Sequence, residues 1–453
     1  PAGASDARPA GAPNVPTAGV PDFPMPRGCP YHPPPGYAKL REHGPLARVT
    51  LAGGRPAWLV TGHAETRALL ADSRISADVT DPRYPELEHI PPDLRLGPEV
   101  LRESQSFVQM DSPEHGVNRR MLSREFGPGR VSALRPAIQR AVDGLLDRLL
   151  AEEPPVDLVP VFAAALPAVM LTEILGVPER ERALFSECLG RGNRGLGELQ
   201  PHVERLLLGD AEDAGTGLLA GLVTRVREGE LTHRRALATV MMLLVAGHET
   251  TENMISLGVL TLLEHPEELR RLRDDPSLIP DAVEELLRYL SVADVLLRLA
   301  KADIEVAGST IRSGDAVVLS TAAANRDGEA FPDPDVLDLS RRPRGQVAFG
   351  HGPHLCLGQH LARLELEVAL LTLFERVPTL RLAVSAERLP AKPPLSLQGV
   401  TELPVTWERR PAGKAWETPS GTAGGEAPGG PGGGQGQGGS EDEEVTTCPI
   451  PHG

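Results

Sequence analysis

The stretch FGHGPHLCLGQHLAR, residues 349–363, constrains the fold of this chain more than any other part of the sequence. Gly350 and Gly352 free the backbone for positive φ and for close approach to a flat or bulky group. Cys356 follows them, where an apolar run with helical spacing begins. Free amide N–H groups and the helix dipole stabilise a thiolate at such a position. The loop therefore predicts a thiolate that serves either as a nucleophile, with His354 as its base, or as a metal ligand.

The other cysteines are not expected to form a disulfide framework. Cys29, Cys188 and Cys448 are scattered and show no CxxC spacing. This usage favours a reducing compartment. The first residues contain no apolar run typical of a signal peptide, and no stretch of 18 apolar residues predicts a membrane span. We expect a cytoplasmic protein without a membrane anchor.

Charge and composition bound the organisation of the 453 residues. Lys and Arg number 46 against 62 Asp and Glu, a formal net charge of −16, which argues against a nucleic-acid binder. Residues 1–22 are rich in Ala, Gly and Pro and are predicted to be disordered. Residues 411–453 form a Gly-rich, acidic low-complexity tail, predicted to be flexible. We interpret residues 23–410 as one compact domain.

Helical periodicity dominates that domain. The longest predicted helix runs from about Thr232 to Glu264, before Pro266, and spans roughly 50 Å at ~1.5 Å per residue. Helical spacing also covers VSALRPAIQRAVDGLLDRLLAEE and CLGQHLARLELEVALLTLFERV. Strand-like segments are short, namely LARVTL, AWLVTG, IEVAG, AVVLS and LPVTW. The sequence predicts a mostly-α, α+β fold with a long central helix and a small segregated sheet.

The cysteine loop matches the pattern F-G-x-G-x-H-x-C-x-G at all six fixed positions: Phe349, Gly350, Gly352, His354, Cys356 and Gly358. In this it resembles the heme-binding loop of the cytochrome P-450 superfamily, the heme-thiolate monooxygenases. The resemblance implies heme b as cofactor, with Cys356 as the axial ligand of its iron. It implies that Phe349 packs beside the sulfur, that His354 donates to a heme propionate, and that Gly358 lets the next helix lie against the porphyrin. A structural free cysteine in a turn is the alternative.

The centre of the long helix, AGHETT at residues 246–251, is similar to the oxygen-activation motif of the same family. The resemblance implies that the small Ala246 and Gly247 leave room for O₂ above the iron. It assigns Glu249 and Thr250 to an acid–alcohol pair that relays protons. Alternatively, the Thr250 hydroxyl merely bonds to the carbonyl one turn earlier.

Arginines and histidines elsewhere match family positions that hold the heme propionates. MDSPEHGVNRR places His115 and Arg119 four residues apart, and LLRLAKADIEVAG contains Arg298. Buried anions need fixed cations and donors, which these side chains and His354 would supply. A solvated surface pair is the alternative for His115 and Arg119.

A structural triad is implied in the same way. EELLR contains Glu285 and Arg288 at i and i+3, and FPDPDVLDLSRRP supplies Arg341. The resemblance joins the three behind the Cys356 loop, with no part in the chemistry. Without the resemblance, Glu285 and Arg288 would be a surface ion pair.

The resemblance covers roughly residues 27–408. It implies a monomeric monooxygenase that hydroxylates or epoxidises a hydrophobic small molecule, a secondary metabolite such as a macrolide or polyketide, or a xenobiotic. The chain has no flavin or iron–sulfur motif, so we expect NAD(P)H electrons to arrive through a separate ferredoxin and reductase. Five stretches are expected to line a largely apolar substrate pocket: residues 77–108, 191–203, 243–250, 295–297 and 399–400.

Four arginines are expected to surround the thiolate side of the heme as a basic patch for an acidic ferredoxin: Arg120, Arg124, Arg342 and Arg344. Two other functions remain open, a heme-based carrier or sensor without turnover and a peroxide-driven peroxygenase. The intact pair of Glu249 and Thr250 argues against both.

Overall fold

A computed structural model of the chain describes residues 20–29, 32–87, 96–209, 217–393 and 397–408. The tail at 411–453, with Cys448, and nearly all of the N-terminal segment predicted as disordered lie outside these residues.

The helices are α1 (Pro35–Arg41), α2 (His63–Ala71), α3 (Pro98–Ser104), α4 (Glu114–Ser123), α5 (Pro128–Ser132), α6 (Arg135–Ala151), α7 (Ala165–Leu175), α8 (Glu179–Leu189), α9 (Gly192–Leu208), α10 (Leu218–Arg227), α11 (His233–Glu264), α12 (Pro266–Asp274), α13 (Ile279–Leu290), α14 (Thr321–Ala324) and α15 (Gln359–Arg376). The strands are β1 (Leu46–Leu51), β2 (Arg55–Val60), β3 (Ile75–Ser76), β4 (Val156–Asp157), β5 (Val295–Ala300), β6 (Ile304–Val306), β7 (Ser309–Ile311), β8 (Ala316–Ser320), β9 (Arg381–Leu382) and β10 (Pro404–Thr406).

The main sheet has five strands in the order β1-β2-β8-β5-β3, and the pairing of β2 with β8 is parallel. Alternate residues of these strands face opposite sides, so one face buries Leu59 and Val318 and the other buries Val60 and Leu319. Two small apolar cores therefore sandwich the sheet. Strands β4, β10 and β9 form a second sheet, and β6 and β7 form a hairpin.

The helical body surrounds α11. Helices α7, α9 and α15 pack directly on it, and α6 packs on α7 and α15. The Thr232 hydroxyl accepts a hydrogen bond from the amide of Arg235 and caps the start of α11, while Pro266 opens the next helix. The long central helix and the mostly-α, α+β fold are confirmed.

One helical pattern is broken where the sequence showed no break. Residues 131–153 have continuous helical spacing, but α5 ends at Ser132 and α6 begins at Arg135. Pro136 lies in the first turn of α6, where its missing N–H costs no hydrogen bond. The proline therefore starts a new helix. In the part of the chain that the structure describes, no helix is both long and apolar enough to span a bilayer.

Candidate active site

The cysteine loop connects the sheet region to α15. Gly350 and Gly352 have φ of +72° and +69°, and a Cβ on Gly352 would lie 2.5 Å from the carbonyl oxygen of Leu70 in α2. The loop thus passes directly against the C-terminal turn of α2, which only glycine permits at this position. The Cys356 amide donates to the Phe349 carbonyl oxygen over 2.9 Å and closes the loop before α15 begins.

The thiol of Cys356 is subject to opposing influences at the start of α15. Burial raises the pKa of its thiol, while the amides of Gly358 and Gln359 and the guanidinium of Arg119 act in the opposite direction. No hydrogen bond joins Cys356 to His354 among the described residues, so the nucleophile–base interpretation gains no support. Among the described residues, Cys29, Cys188 and Cys356 form no disulfide. A half-buried sulfur at a helix N-terminus, with two amides directed at it, suits a soft metal ligand.

Phe349 and Gly358 both contact Cys356 through their backbone, the first by its carbonyl oxygen and the second by its amide. The guanidinium carbon of Arg363 lies 4.5 Å from the centre of the Phe349 ring, and Arg363 also pairs with Glu284 of α13. A Cβ added to Gly358 would meet no protein atom within 4 Å, so protein packing does not require glycine there. The glycine instead leaves a flat approach to the first turn of α15.

The four residues predicted to bind propionates are brought together. The rings of His115 and His354 stack with centroids 4.1 Å apart, and burial lowers the pKa of His354 to about 3 and lowers that of His115. Nε2 of His115 is buried and has no hydrogen-bond partner among the described residues. Arg119 and Arg298 lie close enough to depress the pKa of His354 further.

These arginines have carbonyl acceptors but no carboxylate partner among the described residues. Arg119 Nη2 donates to Leu355 O over 2.5 Å, and Arg298 Nη1 donates to Leu297 O over 2.7 Å. Asp111, whose charge acts on the pKa of both histidines, is held by Ser76 and Lys301. Two unneutralised guanidiniums and an orphaned imidazole nitrogen therefore form a site for an anion. Together with Cys356, these residues fit heme b, whose propionates carry negative charge.

The centre of α11 presents part of the predicted oxygen motif on an uncovered face. Val245 is 41% exposed and Ala246 is also exposed, although the helix is buried over most of its length on both sides. The Thr250 hydroxyl donates to the Ala246 carbonyl oxygen over 2.6 Å. This is the local hydrogen bond that the sequence left open for Thr250, and it fixes the hydroxyl on the uncovered face.

Gly247 has a packing role in addition to the one predicted for it. A Cβ at Gly247 would lie 2.8 Å from a methyl group of Leu171 in α7, so the missing side chain lets α7 and α11 approach closely. Its neighbour His248 is buried, and Nε2 of that ring lies 3.0 Å from the Ala164 carbonyl oxygen. Gly247 therefore serves the packing of α7 on α11. The room above the iron that was predicted for Ala246 and Gly247 stays a prediction.

Sequence analysis missed a lysine at this motif. Nζ of Lys392 lies 3.5 Å from Glu249 and 3.0 Å from Glu252. Lys392 is 143 residues from Glu249 in the chain and belongs to a segment without helical or strand periodicity. The sequence signal was only a second acid, three residues after Glu249.

The predicted structural triad is assembled. Glu285 and Arg288 are fully buried and share two hydrogen bonds of 2.7 and 2.8 Å, and Arg341 Nε donates to Glu285 over 3.0 Å. Arg288 also donates to the Asn325 and Pro334 carbonyl oxygens. The triad thus ties α13 to the segment that leads into the cysteine loop.

The structure describes most of the stretches predicted to line the substrate pocket, and they differ in exposure and contacts. Val108 is 40% exposed, and the Tyr84 hydroxyl donates to Leu297 O over 2.7 Å, which joins the first stretch to β5. Residues 88–95 of that stretch lie outside the described residues. Helix α9 lies along α11. Val400, by contrast, is completely buried.

The four arginines of the predicted basic patch are all exposed: Arg120, Arg124, Arg342 and Arg344. Arg342 Nε donates to Asp281 over 2.8 Å. Arg342, Arg344 and Arg363 line a surface cleft of about 470 Å³, together with Asp281 and Glu284. Since Arg363 also stacks on Phe349, the cleft lies on the Cys356 side of the site.

Known proteins resemble this chain over most of its length. The family model for cytochrome P450 matches residues 213–378. Pentalenic acid synthase of Streptomyces avermitilis is 48% identical over 85% of this chain and 97% of its own length. Vitamin D3 dihydroxylase of Streptomyces griseolus is 46% identical over 85% and 96%. The crystal structure of the mycinamicin VIII C21 methyl hydroxylase of Micromonospora griseorubida, bound to mycinamicin VIII, superposes with a TM-score of 0.78 at 41% identity, covering 86% of this chain and all of that one.

Proposed function

The chain belongs to the cytochrome P450 family and is a heme b-dependent monooxygenase, and on that premise we propose that it hydroxylates or epoxidises a hydrophobic secondary metabolite. The observation that carries the proposal is the convergence of the half-buried Cys356 with His115, Arg119, Arg298 and His354. Such a set of donors suits an iron-centred macrocycle with two acidic arms.

Each of these residues has a proposed part in holding the heme. Cys356 would bind the iron, and the amides of Gly358 and Gln359 would hold its charge. His115, Arg119, Arg298 and His354 would bind the propionates. Bound there, heme b supplies the activation of O₂ and its transfer to the substrate.

Proton delivery is proposed for the uncovered face of α11. The hydroxyl of Thr250 is fixed by Ala246 O, and Glu249 follows the small residues on the same helix with its side chain 36% exposed. After a hydroxyl donates its proton, a titratable group must supply another proton to it. Glu249 is placed to take that proton from solvent. The pair would protonate the oxygen that leaves as water.

The substrate class is proposed from the lining and from the relatives. Val245 and Val108 present apolar surface near the site. One relative is named for pentalenic acid, and another is named as a methyl hydroxylase of mycinamicin VIII. A polycyclic or macrocyclic product of secondary metabolism is the proposed substrate for this chain as well.

Electrons are proposed to come from NAD(P)H through a ferredoxin and its reductase. The exposed arginines Arg120, Arg124, Arg342 and Arg344 would form the docking surface on the Cys356 side. A local basic patch on a chain of net charge −16 suits an acidic partner.

The test combines binding with turnover. Candidate terpenoids and macrolides are screened for the shift of the Soret band that accompanies loss of water from ferric iron. Compounds that shift it are incubated with ¹⁸O₂, ferredoxin, reductase and NAD(P)H. We expect one ¹⁸O atom in the product. Product formed with hydrogen peroxide but not with NAD(P)H and its partners would indicate a peroxygenase, and no product at all would indicate a carrier or sensor.

A further inference from the structure

A second carboxylate and a lysine flank the pair of Glu249 and Thr250. Nζ of Lys392 lies 3.0 Å from Oε1 of Glu252 and 3.5 Å from Oε1 of Glu249. The side chains of Lys392 and Glu252 are only 14% and 12% exposed, against 36% for Glu249. One ammonium thus holds two carboxylates, three residues apart on a single helix, that would otherwise repel each other.

His248 does not provide a second cation for these carboxylates. Its Nε2 lies 3.0 Å from Ala164 O, and a carbonyl oxygen only accepts, so Nε2 carries the proton. Burial lowers the pKa of His248, so the ring is neutral and Nδ1 turns a lone pair toward Glu252 over 3.7 Å. Among the described residues, Lys392 is therefore the positive charge paired with both acids.

The lysine approaches from a segment that is fixed independently of α11. Its amide donates to Gly399 O over 2.9 Å, and the amide of Gln398 donates to Val292 O over 3.1 Å, just beyond α13. The ammonium is therefore delivered by backbone that is anchored on both sides. A cation held in this way fixes the place of a carboxylate more firmly than a freely moving surface lysine does.

We propose that Lys392 is a positioning residue for proton delivery, which holds Glu249 beside Thr250 and for which Glu252 competes. The inference rests on the proposed function, in which Glu249 and Thr250 relay protons. Because the shorter contact is to Glu252, Glu249 is the more loosely held acid and exchanges protons with solvent on its exposed side. The titratable and charged groups that meet here are Glu249, Glu252 and His248 from α11 and Lys392 from the facing segment.

The test compares Lys392→Met, Lys392→Arg and Glu252→Gln in the heme-loaded enzyme with its redox partners. We expect Lys392→Met to lower product per NAD(P)H on the order of tenfold, part of the ~10²–10⁴ that a positioned proton donor contributes. The acidic limb of its pH profile should move to higher pH, because a carboxylate without its cation takes up a proton more readily. Glu252→Gln releases Lys392 to Glu249 and should move that limb to lower pH, while Lys392→Arg should restore wild-type behaviour. Lys39→Met, at an exposed position of α1, is the matched control.

Infrared titration of the same heme-loaded proteins gives a readout without turnover. The carboxylic-acid band of Glu249, assigned by its loss in Glu249→Gln, should appear at higher pH in Lys392→Met than in wild type and at lower pH in Glu252→Gln. The Soret shift with substrate should be the same in all variants, since none of these side chains is proposed to touch the substrate.

Equal coupling and an unmoved infrared band in Lys392→Met and Lys39→Met would overturn the inference. If Lys392→Met fails to retain heme, the pH profile of Glu252→Gln tests the inference instead. An acidic limb at the wild-type pH overturns the inference, and an acidic limb at lower pH supports it. If product per NAD(P)H falls in Glu249→Gln but not in Lys392→Met, the role of Lys392 is rejected and the proton relay through Glu249 is kept. Unchanged coupling in Glu249→Gln rejects the proton relay of the proposed function itself.

Discussion

The hydroxyl of Thr250 has two possible duties that a single substitution separates. Its hydrogen bond to Ala246 O satisfies it locally, as for many helical threonines, but it also lies on the uncovered face of α11. A hydroxyl that only donates a hydrogen bond to the carbonyl one turn earlier is not needed for the reaction. A hydroxyl that passes protons is needed.

Thr250→Val, nearly isosteric, should leave the substrate-induced Soret shift unchanged and NAD(P)H consumption nearly so. Product per NAD(P)H should fall about tenfold while hydrogen peroxide rises, because the proton supply that contributes ~10²–10⁴ to such steps is impaired. All three quantities are counted in one reconstituted assay. Thr239→Val, a buried threonine on the same helix, serves as the control and should stay coupled. Full coupling in Thr250→Val would remove the hydroxyl from the relay.

Two Glu–Arg pairs share the spacing i and i+3 but differ in burial and in further partners, which makes them a useful comparison. Glu285 and Arg288 are completely buried, whereas Glu267 and Arg270 are exposed. Glu285→Gln leaves Arg288 and Arg341 without their carboxylate and should reduce the free energy of unfolding by ~3–5 kcal/mol. Glu267→Gln should change it by under ~1 kcal/mol. Denaturant unfolding of the heme-loaded variants measures both, and similar values would contradict the structural role of the triad.

The glycine loop before Cys356 depends on a neighbouring helix as much as on its own backbone. Gly350 and Gly352 both have positive φ, but only Gly352 lies against α2, with the Leu70 carbonyl 2.5 Å from the position of a Cβ. A backbone oxygen cannot rotate away as a side chain can. The close approach of α2 is therefore part of how the loop is shaped.

Gly350→Ala should cost roughly 1–2 kcal/mol of stability, the strain of a left-handed residue with a Cβ. Gly352→Ala carries the same strain and must also displace α2, at ~1–3 kcal/mol more. Heme content and unfolding midpoints of the two variants measure the difference. Equal loss in both would mean that α2 yields freely at this contact.

Individual elements were predictable where one pattern decides them. LARVTL and AVVLS coincide with β1 and β8, and the cap and proline around α11 gave both of its ends. The parallel pairing of β2 with β8 was not predictable, because the residue pattern of a strand does not identify the strand that pairs with it. In the site, the motif residues were assigned through their resemblance to family motifs. Lys392 was missed because it reaches Glu249 and Glu252 only through tertiary proximity, and the packing of Gly247 against Leu171 is visible only in the structure.

The molecule as a whole is acidic, yet the cleft on the Cys356 side is lined by arginines. With a net charge of −16, its general field repels an acidic protein, so any attraction must be local. Local attraction of this kind is screened over ~8–10 Å at physiological ionic strength. The approach of a partner should therefore depend on salt.

Reduction by an acidic ferredoxin should slow as salt is raised, and Arg344→Glu should slow it at low salt and flatten its salt dependence. Stopped-flow reduction under carbon monoxide measures both effects. Arg312→Glu, which reverses an exposed arginine paired with Asp303, is the control and should behave as wild type. Rates that do not respond to salt or to Arg344→Glu would place the docking surface elsewhere.

The pairing of β2 with β8 also determines how early in synthesis the main sheet can form. Trp58 bonds to Asp315, 257 residues further along the chain. A ribosome adding ~5–20 residues per second needs roughly 10–50 s to cover that interval. The hairpin of β1 and β2 must wait with one edge unpaired for that time, and Cys356 emerges only after β8. The Cys356 loop is therefore among the last parts of the described chain that translation makes available. Heme uptake through Cys356, as proposed above, would belong to the closing seconds of synthesis or to the time after release.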